Sequence, residues 1–114
     1  MKFTQEEYNT LGTAFVNWEE NIDHSTYTAK RKREMRLGIS SAVKTLNSGK
    51  TERKDFDFFA IEAIAECLIL LNEFSLNPPD DFDKEEISQT YPEIRKSIIS
   101  IDKKLSLNIS EYLL

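Results

Sequence analysis

Two glutamates in a strongly apolar segment are the side chains best placed for metal chemistry. Glu62 and Glu66 stand four residues apart, a spacing that puts both carboxylates on one face of a helix. Carboxylates inside a helical bundle can hold metal ions, but di-iron bundles also need a Glu-x-x-His pair on each of two helices. The chain has a single histidine, His24, and no such pair. We therefore predict no metal site and no cofactor, with Glu62 and Glu66 forming a solvent-facing strip or, alternatively, the edge of a recognition face.

Nucleophilic catalysis has little support in the sequence. The single cysteine, Cys67, stands among Leu and Ile residues, and such surroundings disfavour the thiolate that catalysis requires. His24 falls in a predicted loop without a visible partner. The sequence has no Gly-rich phosphate loop and no Gly-x-Ser-x-Gly motif. We predict that the chain is not an enzyme and that Cys67 packs in the core.

The densest cluster of acidic side chains spans residues 80–86. The ligand spacing and the glycine of an EF-hand calcium loop are absent there. Dense charge of one sign accelerates association with an oppositely charged partner and selects it, and a nearby tyrosine can supply desolvated contact area. The predicted partner-binding residues are Asp80, Asp81, Asp83, Glu85, Glu86 and Tyr91. Alternatively, the carboxylates serve solubility and favour a helix N-terminus.

The segment from about residue 56 to residue 105 resembles small helical immunity proteins that neutralise bacteriocins or contact-dependent toxins. The shared features are an apolar helix from Phe58 to Phe74, an acidic loop with Asp80, Asp81 and Asp83, and Glu85 and Glu86 opening the next helix. In that group, carboxylates together with an aromatic residue such as Tyr91 often cap the basic active site of a nuclease toxin. The resemblance implies an inhibitor whose partner is a basic protein.

A basic run gives the main alternative. Residues 25–54 contain nine Lys and Arg against two Glu, a net charge of +7, whereas residues 55–94 contain eleven acids against one Lys, a net charge of −10. The alternative nucleic-acid-binding residues are Lys30, Arg31, Lys32, Arg33 and Arg36, which could neutralise phosphates. The overall charge of −5 and the absence of interleaved aromatic residues favour a different role. We expect these cations to pair with acidic helices of the same fold.

Helical spacing of apolar residues runs through nearly the whole chain. Thr4 and Glu7 form a capping-box pattern, with Phe3 and Tyr8 as a hydrophobic staple. The apolar stripe that follows is Tyr8, Leu11, Phe15, Trp18 and Ile22. A second helix is predicted from Tyr27 to Leu46, with the stripe Met35, Ile39, Ala42, Val43 and Leu46 and a stop at Asn47-Ser48-Gly49.

The third predicted helix runs from Glu52 to Phe74 and is apolar on most of its circumference, which is typical of a central helix. Thr90-Tyr91-Pro92-Glu93 predicts the start of a fourth, with proline in its first turn and an extension through Ile109 to Tyr112. The predicted fold is all-α, an antiparallel bundle of four to five helices. In a regular last helix, Ile99, Leu107 and Leu114 leave the main stripe and would form an apolar patch for a partner or for self-association. Alternatively, the helix bends or breaks near Asn108.

Composition and length indicate one soluble domain spanning residues 1–114. Of the 114 residues, 39% are hydrophobic and 31% are charged, with only three glycines and three prolines. The longest apolar run, Cys67–Leu71, is too short for a membrane span, and one cysteine permits no internal disulfide. We expect a cytoplasmic, non-enzymatic binding protein whose partner is a basic protein and which has no membrane association. The alternatives are a nucleic-acid-associated regulator and a self-associating structural bundle, such as a homodimer.

Overall fold

Four α-helices account for most of the fold. The computed structural model describes residues 2–22, 27–77 and 84–113. Its helices are α1 (Gln5–Asn21), α2 (Ala29–Asn47), α3 (Phe58–Leu76) and α4 (Lys84–Leu105), with short 3₁₀ turns at Arg53–Asp55 and Ser110–Leu113. No residue in the described ranges is in a β-strand, which confirms the all-α prediction. Within the same ranges, every helix is too short or too polar to cross a membrane.

The start of α1 follows from its sequence. The Thr4 hydroxyl accepts a hydrogen bond from the Glu7 backbone N–H at 3.1 Å, and the Glu7 carboxylate accepts one from the Thr4 N–H at 2.8 Å. The Phe3 ring meets the Tyr8 ring edge to face, with centroids 5.7 Å apart. Both the predicted capping box and the predicted staple are thereby confirmed. The stripe residues Leu11, Phe15, Trp18 and Ile22 are buried.

A glycine allows α2 and α3 to approach each other closely. A Cβ atom on Gly38 would lie 2.2 Å from the Phe59 carbonyl oxygen and 2.7 Å from the Ala63 Cβ atom. The helix continues through Gly38 because the contact with α3 offsets its low helix propensity. Val43, which was predicted in the buried stripe, is 39% exposed, since the buried face turns through Met35, Gly38 and Ala42. As predicted, α2 ends at Asn47, followed by Gly49 with φ of +82°.

Helix α3 is central, as its composition predicts, and it packs against α1, α2 and α4. It begins at Phe58 rather than at Glu52, so the predicted boundary was wrong. Asp57 caps the helix by accepting a hydrogen bond from the Ala60 N–H at 2.8 Å. Phe56, in extended conformation, separates α3 from the preceding 3₁₀ turn.

Side-chain pairs between α2 and α3 and their caps show that the two helices are antiparallel. Tyr27 bonds to Glu66, Arg31 to Glu62, and Ser41 to Asp57. The residue numbers therefore rise along one segment while those of their partners fall along the other. This arrangement agrees with the predicted bundle.

The predicted start of the last helix at Thr90-Tyr91-Pro92 was wrong, because α4 begins at Lys84 and contains Pro92 in its interior. Proline removes one backbone hydrogen bond and usually breaks or kinks a helix, at a cost of about 3 kcal/mol. Buried Ile98, Ile101 and Leu105 follow it, and this apolar stripe anchors α4 to the core. Tertiary packing therefore outweighs the local signal of the proline.

The last helix does not extend to Tyr112, and the alternative prediction of a break near Asn108 is confirmed. Ser106 and Asn108 adopt positive φ angles of 53° and 60°, which end α4 at Leu105. The guanidinium of Arg53 donates a hydrogen bond to the Leu105 carbonyl at 2.8 Å and another to the Ser106 carbonyl. The Asp102 carboxylate accepts one from the Ile109 N–H at 3.2 Å. These bonds fold the end of the chain back, so that Ile109 and Leu113 are buried.

Candidate protein-binding surface

The predicted acidic binding residues fall around the start of α4. Asp80, Asp81 and Asp83 lie outside the described residues. Glu85 and Glu86 occupy the first turn of α4, and both are exposed. Carboxylates in that position also interact favourably with the helix dipole.

Tyr91 is held between α3 and the end of the chain. Its ring is partly buried, and its hydroxyl donates a hydrogen bond to the Asn72 side-chain oxygen at 3.0 Å. The same hydroxyl accepts one from Arg95 at 3.4 Å, while Arg95 also donates to the Leu113 carbonyl. The phenol is therefore fixed in orientation, which lowers the entropy that a contact with a partner would have to remove.

The basic run on α2 makes ion pairs within the bundle. Arg31 lies 3.5 Å from Glu62 of α3, and Arg36 lies 3.1 Å from Glu19 of α1. Within α2, Lys30 and Arg31 lie 3.9 Å and 3.7 Å from Glu34. Lys32 is partly buried and Arg33 is exposed. The pairs between helices agree with the interpretation that these cations balance acidic neighbours.

The strip of carboxylates on α3 is not simply a solvent face. Glu62 and Glu66 are both partly buried, and the Tyr27 hydroxyl donates a hydrogen bond to Glu66 at 2.5 Å. Burial raises the pKa of Tyr27, and the neighbouring Glu66 carboxylate raises it further. These carboxylates therefore join α3 to α2. In the described part of the chain, no group of three or more His, Cys, Asp and Glu side chains is placed to hold a metal ion.

Cys67 gives a direct test of core packing. The side chain is fully buried in α3, and burial raises the pKa of its thiol, with Glu66 adding to the effect. Because only the thiolate reacts readily, we expect a disulfide reagent to label native Cys67 at least about 100-fold more slowly than the chain unfolded in denaturant. A spectrophotometric thiol assay measures both rates. Native labelling within about tenfold of the unfolded rate would contradict this packing.

A concave surface follows one side of α1. A groove of about 530 Å³ lies between α1 and α3, and a smaller one of about 150 Å³ lies between α1 and α4. The larger is lined from α1 by Asn9, Gly12, Thr13, Val16, Asn17 and Glu20, and from α3 by Leu71 and Phe74. The smaller is lined by Glu6, Asn9, Thr10, Thr90, Glu93, Ile94 and Ser97. Since Asn9 lines both grooves, they follow one another along the helix, and together they form what we call the α1 trough.

The larger groove of the α1 trough is mostly apolar, whereas the smaller groove is lined by polar residues apart from Ile94. Val16, 57% exposed, and the partly buried Phe74 provide the apolar surface of the larger groove, and Leu71, 2% exposed, adds little to it. Glu20 lies at one end, and Glu6 and Glu93 lie at the other. No Lys or Arg lines either groove among the described residues.

Apolar spacing within α1 does not indicate this trough. Gly12 and Val16 lie off the apolar stripe of α1. An exposed valine and an interior glycine on that other face were the only signs of a groove that the sequence of α1 offered. The contribution of Leu71 depends on how α3 approaches α1.

The proposed self-association patch is not a separate surface. Ile99 and Leu107 are both partly buried, and both pack against the core of their own chain. Leu114 lies outside the described residues. The break after Leu105 turns Leu107 back toward that core.

Comparison with known proteins assigns the chain to no family. The chain matches no protein-family model, no curated protein sequence and no solved structure.

Proposed function

We propose that the chain is a non-enzymatic binding protein that docks an acidic surface on a basic protein partner. An inhibitor or immunity protein for a toxin, acting in the cytoplasm, is the most specific form of this proposal. The binding residues would be Asp80, Asp81, Asp83, Glu85, Glu86 and Tyr91. The carboxylates would pair with Lys and Arg of the partner, and Tyr91 would supply the buried contact at the centre.

One observation carries this proposal, namely the uneven neutralisation of charge across the bundle. Three of the six α2 cations, Lys30, Arg31 and Arg36, form ion pairs with Glu34, Glu62 and Glu19. In contrast, four exposed acids on α1, α3 and α4 form no ion pair with a described side chain. These are Glu6, Glu20, Glu73 and Glu93. In the sequence, Asp80, Asp81 and Asp83 add three more acids just before α4, and residues 55–94 as a whole carry a net charge of −10.

Such a charge distribution has a defined physical effect on binding. An excess of one sign raises the rate at which an oppositely charged protein is encountered. Salt screens this attraction, since the Debye length is about 8 Å at physiological ionic strength. A basic partner should therefore be bound at low salt and released at high salt.

Affinity capture from the source cells tests the proposal. The baits are the wild-type protein, the triple variant Asp80→Asn/Asp81→Asn/Asp83→Asn, and the control Glu19→Gln/Glu34→Gln/Glu52→Gln, which has the same net charge as the triple variant. We expect the wild type and the control to retain one basic protein, identified by mass spectrometry and released at about 500 mM salt. The triple variant should lose most of it.

Two results would overturn the proposal. Equal retention of the same protein by the triple variant would show that the acidic segment does not bind it. Recovery of nucleic acid instead of protein would assign the function to Lys30, Arg31, Lys32, Arg33 and Arg36.

A further inference from the structure

We infer that the α1 trough binds an amphipathic, basic α-helix of the partner protein. This inference rests on the proposed function, because it takes the partner to be basic. It adds a second contact surface and the type of segment that would fill it. Three features carry it: a glycine without an internal role, an apolar floor, and carboxylates at both ends.

Gly12 has no packing role within the chain. A Cβ atom placed on it would meet no atom within 4 Å, in contrast to the same atom on Gly38. Glycine in a helix interior is less stable than alanine by about 0.5–1 kcal/mol, and nothing inside this fold offsets that penalty at Gly12. Glycine also permits close approach by the backbone of a ligand. Because Gly12 lines the larger groove and its surroundings are open, it leaves room there for a ligand backbone to approach α1 from outside the chain.

The apolar floor fits the hydrophobic face of a helix. Val16, 57% exposed on α1, and the partly buried Phe74 of α3 line the larger groove together, with Leu71, 2% exposed, contributing little surface. A groove of about 530 Å³ can accept a few apolar side chains, and helices that bind in grooves present theirs at positions i, i+3, i+4 and i+7. The fit therefore favours a helical segment with one apolar face.

The charges at the two ends of the trough determine which charged residues the bound helix should carry. Glu20 marks one end, and Glu6 and Glu93 mark the other. Residues 6–20 of α1 span about 21 Å at 1.5 Å per residue, so the trough matches roughly four turns of a partner helix. With acids at both ends and no described cation along it, the trough fits a helix of about fourteen residues with Lys or Arg flanking its apolar face.

A synthetic peptide provides the probe. It has about fourteen residues, with Leu at positions i, i+3, i+4 and i+7 and Lys at most others. A second peptide of the same composition has its leucines dispersed around the helix. Titration into the ¹⁵N-labelled full chain, followed by amide chemical shifts, gives both the affinity and the location of binding.

We expect the amphipathic peptide to shift the amides of Gly12, Val16 and Leu71, and to bind about tenfold more tightly than the dispersed peptide. Gly12→Leu should weaken binding at least about tenfold, while Ser40→Leu, on the exposed face of α2, should leave it unchanged. Gly12→Ala should weaken binding while raising the melting temperature. Loss of binding in that variant therefore cannot be due to unfolding.

Shifts confined to another face, or equal affinity for wild type and Gly12→Leu, would overturn the inference. So would a concentration-dependent mass in light scattering that Gly12→Leu abolishes, because the occupant would then be a second copy of the chain. The same capture experiment distinguishes failure of the trough from failure of the proposed function. If Gly12→Leu captures the basic partner as wild type does while the Asp80/Asp81/Asp83 variant loses it, the acidic surface stands and the trough does not.

Discussion

Replacing Gly38 by alanine is expected to lower the free energy of unfolding by about 3 kcal/mol. The added Cβ atom would lie 2.2 Å from a backbone carbonyl oxygen of α3 and 2.7 Å from the Ala63 Cβ atom. Neither atom belongs to a flexible side chain, so α2 and α3 must separate, which opens space between their buried faces. Chemical denaturation followed by far-ultraviolet circular dichroism measures the change.

Gly12→Ala is the matched control for this prediction, since it makes the same substitution in another helix interior. Its Cβ atom meets nothing within 4 Å, so only helix propensity changes and stability should rise by about 0.5–1 kcal/mol. The two substitutions should thus change the free energy of unfolding in opposite directions. Equal effects from both would contradict the close approach of α2 and α3 at Gly38.

Lys104→Met is expected to lower the free energy of unfolding by about 3–5 kcal/mol. The Lys104 ammonium lies 2.5 Å from a Glu7 carboxylate oxygen, and the Glu7 side chain is only 3% exposed. Removal of the cation leaves a buried carboxylate without its charged partner. Glu7→Gln/Lys104→Met should be more stable than Lys104→Met alone, because it removes the unpaired charge. The control Lys103→Met, at an exposed neighbouring position, should change stability by less than about 0.5 kcal/mol.

The same ion pair sets a pH dependence. Burial raises the pKa of Glu7, but hydrogen bonds from Lys104 and from the Thr4 backbone outweigh it, so the net pKa is below the ordinary value of 4.5. The stabilisation from Glu7 is therefore complete above that value and is lost as the pH falls through the lowered pKa. In Lys104→Met, loss of the hydrogen bond from Lys104 should raise the pKa of Glu7 relative to the wild type, so less stability should be lost as the pH falls. Unfolding measured between about pH 3 and pH 7 distinguishes the two slopes. Identical slopes would contradict the ion pair.

Local signals predicted much of the fold correctly. The capping box of Thr4 and Glu7 and the stop at Asn47–Gly49 depend on interactions within a few residues, and both appear in the structure. Pro92 misled the prediction because its local preference for a first turn is overridden by the packing of Ile98, Ile101 and Leu105, which follow it. A break near Asn108 was one of two interpretations of the last helix, and the sequence could not decide between them because the bonds that hold the break come from distant Arg53 and from Asp102.

The candidate surface was harder to predict, for a physical reason. Charge segregation can be read directly from the sequence, and the pairing of α2 with acidic neighbours follows from it. The α1 trough depends on the position of Leu71 beside Val16, two residues that are 55 positions apart. No periodicity within one helix specifies such a contact. Gly12 could have been noticed as an unexplained helix glycine, but its open surroundings are visible only in the fold.

The association rate with the captured basic partner, measured by stopped flow against ionic strength, tests the acidic docking surface most directly. We expect the wild-type rate to fall at least about tenfold between about 20 and 500 mM salt. The variant Asp80→Asn/Asp81→Asn/Asp83→Asn should associate more slowly at low salt, with a flatter dependence, while the control Glu19→Gln/Glu34→Gln/Glu52→Gln should follow the wild type. If the triple variant and the wild type have the same rate at every salt concentration, the acidic segment is not the docking surface.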